Sequence, residues 1–178
     1  MTNLLRNLTD DADLWIYVAD RSLSSMEQRT LQSHLEHFVT DWNSHGRTVC
    51  SEFLIANDRF VIIGAEIPDH EISGCGIDKS VHILQEAADA MGFQWLSGLD
   101  VLFVGPDGEI QSASRADFRR LADQGDVTSL TTVFDLSIRC VGDLRSGRFR
   151  KAATDSWHGR AFDMRDPEAE TRWAPSRT

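Results

Sequence analysis

Lysine is almost missing. Lys79 and Lys151 are the only two among 178 residues, against sixteen arginines, and nine glutamates stand against nineteen aspartates. The formal net charge of -10 argues against nucleic acid or an anionic membrane as a partner, because a phosphate surface is repelled by the average charge of such a protein. Short acidic side chains keep a surface charged and hydrated where salt screens repulsion, so the aspartate excess points to a salt-adapted, halophilic proteome. A GC-rich genome would account for the arginine but not for the aspartate. Cysteine is scarce and odd in number: Cys50, Cys75 and Cys140 have no C-x-x-C spacing, which excludes a disulfide framework and a zinc ribbon and fits a reducing cytoplasm. No apolar run of about 18 residues occurs, and Met1 to Asp13 has no apolar core of a leader, so a soluble cytoplasmic protein is expected. Neither G-x-x-x-x-G-K-[ST] nor G-x-G-x-x-G is present, and no cofactor is expected.

What is present reads as one α+β domain over residues 14–162, with a flexible N-terminus over 1–13 and a tail over 163–178 too poor in apolar residues to order itself. Leu14 to Ala19 is rich in β-formers. Ser24 and Glu27 form a capping box ahead of a helix whose apolar face carries Leu31, Leu35, Phe38, Val39 and Trp42. Two strands, Thr48 to Ala56 and Arg59 to Ala65, are joined by Asn57-Asp58, a pair suited to a tight hairpin with positive φ. A second helix, Ile77 to Met91, has the stripe Ile77, Val81, Leu84, Ala88, Met91 and stops at Gly92. Val101 to Val104 is the next strand, and the order βαββαβ predicts a ferredoxin-like antiparallel sheet of four strands backed by two helices, with a C-terminal extension. Ser114 and Asp117 start a third helix, Thr131 to Asp135 is a fifth strand, and Leu136 to Gly147 fits strand or helix. Sheet-mediated homo-oligomers are common for such domains.

The stretch Ser73-Gly74-Cys75-Gly76-Ile77-Asp78-Lys79-Ser80 is the most site-like. Glycines on either side of a cysteine, directly ahead of a helix, expose backbone N–H groups where a thiolate or bound anion is favoured, and Lys79 adds a cation. Gly74, Gly76, Asp78, Lys79 and Ser80 are therefore candidate ligands for a small anion, with Arg59 as a further cation. The competing reading is a tight structural helix entry around a buried thiol. Two functions follow: a small-ligand-binding, regulatory or interaction domain, or a thiol-dependent enzyme with Cys75 as nucleophile or redox thiol and His45 or His158 moving the proton. Cys50, in a strand, and Cys140, in the apolar run Ile138 to Val141, are expected to be buried and sluggish. His34, His37 and Asp41 have helical spacing but lack the central glutamate of H-E-x-x-H, so no metal is expected. His82 lies one turn from Asp78 and from Glu86, a solvated ladder. Trp157-His158 either closes over a pocket or anchors the tail.

The segments Trp42-Asn43-Ser44-His45-Gly46, Asn57 to Ile63, Ser73 to Val81 and Asp155-Ser156-Trp157-His158 resemble an uncharacterised family of small bacterial proteins from the Bacteroidota and their relatives, across about residues 14–162. Members are often labelled ABC transporter ATPases. This chain has no Walker A motif, so that activity is not carried over, and Gly76 stands where the family usually has a serine after the cysteine. The resemblance implies no mechanism.

Overall fold

The structure, a computed structural model, describes residues 4–44 and 46–164, and for Cys75 and Gly76 the backbone alone. Asp13–Val18 (β1) leads to Ser25–Asp41 (α1), a two-residue ladder of Asn43–Ser44 (β2) and Arg47–Thr48 (β3), then Cys50–Ala56 (β4), Phe60–Glu66 (β5) and Gly74–Met91 (α2). Val101–Val104 (β6), Ile110–Ala113 (β7), Arg115–Gln124 (α3), Thr132–Phe134 (β8), Val141–Arg145 (α4), Arg150–Ala152 (β9), a 3-10 turn over Ala153–Asp155 and Trp157–Ala161 (α5) follow. By backbone contacts the chain divides into two compact units, one of Met1–Leu96 with Ile138–Ser146, the other of Ser97–Ser137 with Gly147–Thr178.

The class is α+β, with antiparallel sheets, as expected. The first unit holds a three-stranded sheet in the order β1-β5-β4. Its hairpin turns at Asn57 and Asp58, with φ of 50° and 54°, the left-handed values this residue pair tolerates. Ser24 accepts from the Glu27 N–H and the Glu27 side chain accepts from the Ser24 N–H, so both halves of the capping box are made. Leu31, Leu35 and Phe38 of α1 are buried with Val61, Ile63 and Ala65 of β5 and Leu84, Ala87 and Ala88 of α2. Each large aliphatic in this layer contributes about 1.5–3 kcal/mol through burial. The stripe expected for α2 is shifted at one position. Val81 is exposed while Ser80 is buried, because the inward face runs through residues 77, 80, 84, 87 and 88.

The sheet order differs from the ferredoxin-like expectation. No four-stranded sheet joins Val101–Val104 to β1; after α2 the chain only touches the outer edge of β1, where Leu96 N–H donates to Val18 O and Asp20 N–H to Gln94 O. A turn then intervenes, closed by Asp100 N–H to Ser97 O, and β6 becomes an inner strand of a second sheet in the order β7-β6-β8-β9. The other end of that edge is met by the returning chain, where Leu14 N–H donates to Arg139 O.

Residues 4–12, expected to fray, are packed in the first unit. Leu5 and Leu8 are buried, and Arg145 of α4 donates to the carbonyls of Leu4, Leu5 and Leu8 and pairs with Asp10. The approach needs Gly64, since a Cβ there would stand 2.7 Å from Leu8 Cδ1 and 2.9 Å from Leu5 Cδ1. In the second unit Phe103, Phe118, Val133 and Phe162 form a separate core. Ser114 caps α3, and Gly125 ends it with φ of 80°. The ambiguous stretch 136–147 contains the five-residue α4. The tail expected to be disordered lies beyond residue 164, outside the described residues, apart from Asp163 and Met164. No helix of the described residues is long and apolar enough to cross a membrane.

Candidate functional site

The Ser73–Ser80 stretch is the start of α2 rather than a turn ahead of it, since Gly74, Cys75 and Gly76 already belong to its first turn. Ser73 is pinned from the neighbouring ladder: its N–H donates to Ser44 Oγ at 3.2 Å, and the two hydroxyls are 2.8 Å apart. Ser80 points inward and donates to Ile77 O at 2.7 Å. Asp78 and Gly74 are exposed, and the Lys79 ammonium donates to Asn43 O at 3.2 Å. Arg59 is buried, with Nε donating to Ala19 O at 2.8 Å and a terminal nitrogen to Asp20 O at 2.7 Å. Its charge ties the hairpin to the end of β1, and burial pulls its pKa down. His45 lies outside the described residues. Cys50, expected to be buried, is exposed, and Cys140 is half-buried: Cys50 is the first residue of an edge strand whose other residues are half-buried.

His34, His37 and Asp41 of α1 line a groove with Lys79, His82 and Glu86 of α2, floored by Phe38, Trp42 and Ile83. His82 lies 3.2 Å from Glu86. Among the described residues no group of three histidines, cysteines or carboxylates is placed to hold a metal.

A different place gathers polar groups more tightly. In the second unit Asp135, Arg148, Lys151, Thr154, Ser156 and Arg160 line a polar cavity of about 330 Å³, together with Ser137, Asp155 and Trp157. The sequence gathers it from a few short pieces: Asp135 and Ser137 follow β8, Arg148 precedes β9, Lys151 is in β9, and the 3-10 turn, Ser156 and α5 supply the rest. Gly159 lets the last two touch, since a Cβ there would stand 2.7 Å from Ala153 O.

Asp135 is only 5% exposed. One oxygen, Oδ1, accepts three bonds, from Ser137 N–H at 2.9 Å, from Ser137 Oγ and from Trp157 Nε1 at 3.2 Å. Burial opposes its charge, but the bonds from Ser137 and Trp157 outweigh burial and hold the carboxyl below its ordinary value. The other oxygen, Oδ2, accepts no hydrogen bond from any described residue. No enclosed side-chain oxygen among the described residues lacks a partner, so Oδ2 is open to the cavity that Asp135 lines. The side chains of Lys151 and Arg160 likewise make no hydrogen bond or ion pair with a described residue.

His158 sits behind this wall, 1% exposed. Its Nδ1 is 2.6 Å from Ser156 Oγ, and its ring stacks on Trp157 with centroids 3.8 Å apart. Burial pushes its pKa down to about 4, helped by Lys151 and Arg115 and opposed by Asp135. A neutral imidazole so enclosed orders Ser156 and Trp157; it does not present a base to the cavity. Trp157 lines the cavity, donates to Asp135 and also packs against the core of the second unit beside Phe162. The chain matches no family model, no curated protein and no solved structure.

Cys75 belongs to the first unit and His158 to the second. The structure thus groups His158 and Trp157 with residues that sequence reasoning left unmarked: Asp135, Lys151 and Arg160. The available signal was local, a basic run from Arg148 to Lys151 in an acidic chain, followed by Ser156-Trp157-His158.

Proposed function

We propose that this protein is a small-ligand-binding domain whose ligand is anionic and sits in the cavity of the second unit. Its support is one observation: Lys151 and Arg160, uncommitted to any described partner, converge with Arg148 on a single polar cavity. In a protein of net charge -10, a cavity where Arg148, Lys151 and Arg160 stand against Asp135 and Asp155 is locally positive and concentrates small anions that the rest of the surface repels. Arginine supplies a planar fork and lysine a point charge, the pair of donors that phosphate and carboxylate groups take. The hydroxyls of Thr154 and Ser156 stand within the same lining. The cavity falls within the range of small-molecule sites, about 300–1,000 Å³.

The resemblance to the Bacteroidota-type family is compatible with such a role and adds no activity. The thiol-enzyme reading gains no support from His158, one of its two proposed proton carriers, which is enclosed and neutral; the other, His45, lies outside the described residues, and the lysine of the anion site expected at Ser73–Ser80 donates to Asn43.

The test is isothermal titration with inorganic phosphate and phosphate monoesters at low ionic strength. Lys151→Ala and Arg160→Ala should each weaken binding about tenfold or more, since a charged hydrogen bond is worth about 1.5–3 kcal/mol. Lys79→Ala should leave binding unchanged. The opposite pattern, with Lys79→Ala alone abolishing binding, would return the site to the start of α2.

A further inference from the structure

The cavity is not merely cationic. Asp135 is a residue only 5% exposed, and three donors fix its Oδ1 while Oδ2 accepts from no described residue and is open to the cavity. Oδ2 is open to solvent in the cavity, so a ligand that displaces water from it must offer a donor in its place. A fully ionised phosphate ester group offers none, and the carboxylate repels it. A ligand that fills the cavity therefore carries a donor at one end and an anion at the other. An ammonium donor would meet Lys151, Arg148 and Arg160 across the same space, whereas a hydroxyl satisfies Oδ2 without adding charge.

Resting on the reading of this cavity as an anion site, we propose that its ligand is a small polyol phosphomonoester, with the phosphate held by Lys151 and Arg160 and a hydroxyl donating to Asp135 Oδ2. Asp135 is then the residue that sets specificity and the cations are those that set affinity. The three donors on Oδ1 make this arrangement directional. In Asp135→Asn the same donors would hold the amide oxygen, so the amide NH2 would replace the open acceptor and face the cavity as a donor.

The experiment compares glycerol 3-phosphate with n-propyl phosphate, which has the same carbon count and phosphate but no hydroxyls, and with inorganic phosphate, by calorimetry on the whole protein. The native protein should prefer glycerol 3-phosphate over n-propyl phosphate by about tenfold or more, as sites built around a ligand hydroxyl do. Asp135→Asn should lower that ratio severalfold, because a neutral amide replaces the charge-assisted bond to the hydroxyl, while inorganic phosphate binds at least as tightly as before. Equal binding of the two esters by the native protein would overturn the hydroxyl inference and leave the anion site standing; this arm needs no variant to fold. A native preference that survived undiminished in folded Asp135→Asn would overturn the role of Asp135. Binding of none of the three, or binding indifferent to Lys151→Ala and Arg160→Ala, would overturn both this inference and the anion site.

Discussion

Holding His158 neutral has a consequence at acid pH. Its ordinary value of 6.5 is brought down to about 4 by the fold, so between those limits the unfolded chain takes up a proton that the folded chain refuses. The stability it contributes is complete above pH 6.5 and is lost as pH falls toward 4. Asp135 has its ordinary value at 3.8 and lies lower in the fold, so its contribution is complete above that value and is lost only at more acid pH. The two residues therefore act in different windows. The thermal midpoint should fall between pH 6.5 and about 4, and His158→Gln, though less stable at pH 7, should show a shallower fall over the same range. Parallel profiles for the two proteins would mean that His158 is not the group responsible. Neither residue's environment could be read from the chain, because the partners that bury His158 include Phe118, forty positions away.

At the scale of elements, what the sequence shows and what it hides divide by distance along the chain. The capping box at Ser24, the hairpin at Asn57-Asp58, the stop at Gly92 and the cap at Ser114 are each decided within a few residues, and each stands as the sequence implied. Strand partnership is not local: nothing within Val101–Val104 says whether it joins β1 or β7 and β8. The short β7 and β9 alternate too little to be legible, and five-residue helices such as α4 and α5 carry no periodicity. Least legible of all is Arg145, whose acceptors at Leu4, Leu5 and Leu8 lie at least 137 positions away. Arg145→Ala should cost about 2–3 kcal/mol, since charged bonds to backbone carbonyls are lost together. Amide hydrogen exchange at residues 5–12 should speed up selectively in that variant. Lysine in its place should not restore protection, because an ammonium lacks the fork that spans these carbonyls. Unchanged exchange there would show that Leu5 and Leu8, packed beside Gly64, hold the segment without the arginine.

For the whole molecule the governing quantity is charge, and salt should act on it in two opposite directions. Twenty-eight acids against eighteen cations repel one another across an acidic surface on which Arg21–Glu27 and Arg120–Asp117 are local pairs. Raising potassium chloride from about 0.1 to about 1 M shortens the screening length from about 10 Å to about 3 Å, which relieves that repulsion. The thermal midpoint should therefore rise with salt, and a flat or falling midpoint would remove the halophilic reading of the aspartate excess. Ligand binding in the cavity depends on attraction rather than repulsion, so the same salt should weaken the affinity for phosphate esters. The two measurements on one set of samples separate the origins of charge effects: a surface acting as a whole shifts the midpoint in native protein and in Lys151→Ala alike. Only the native cavity, with Lys151 and Arg160 both present, should show the full loss of affinity. If affinity were indifferent to salt while the midpoint rose, the cations would not be what holds the ligand.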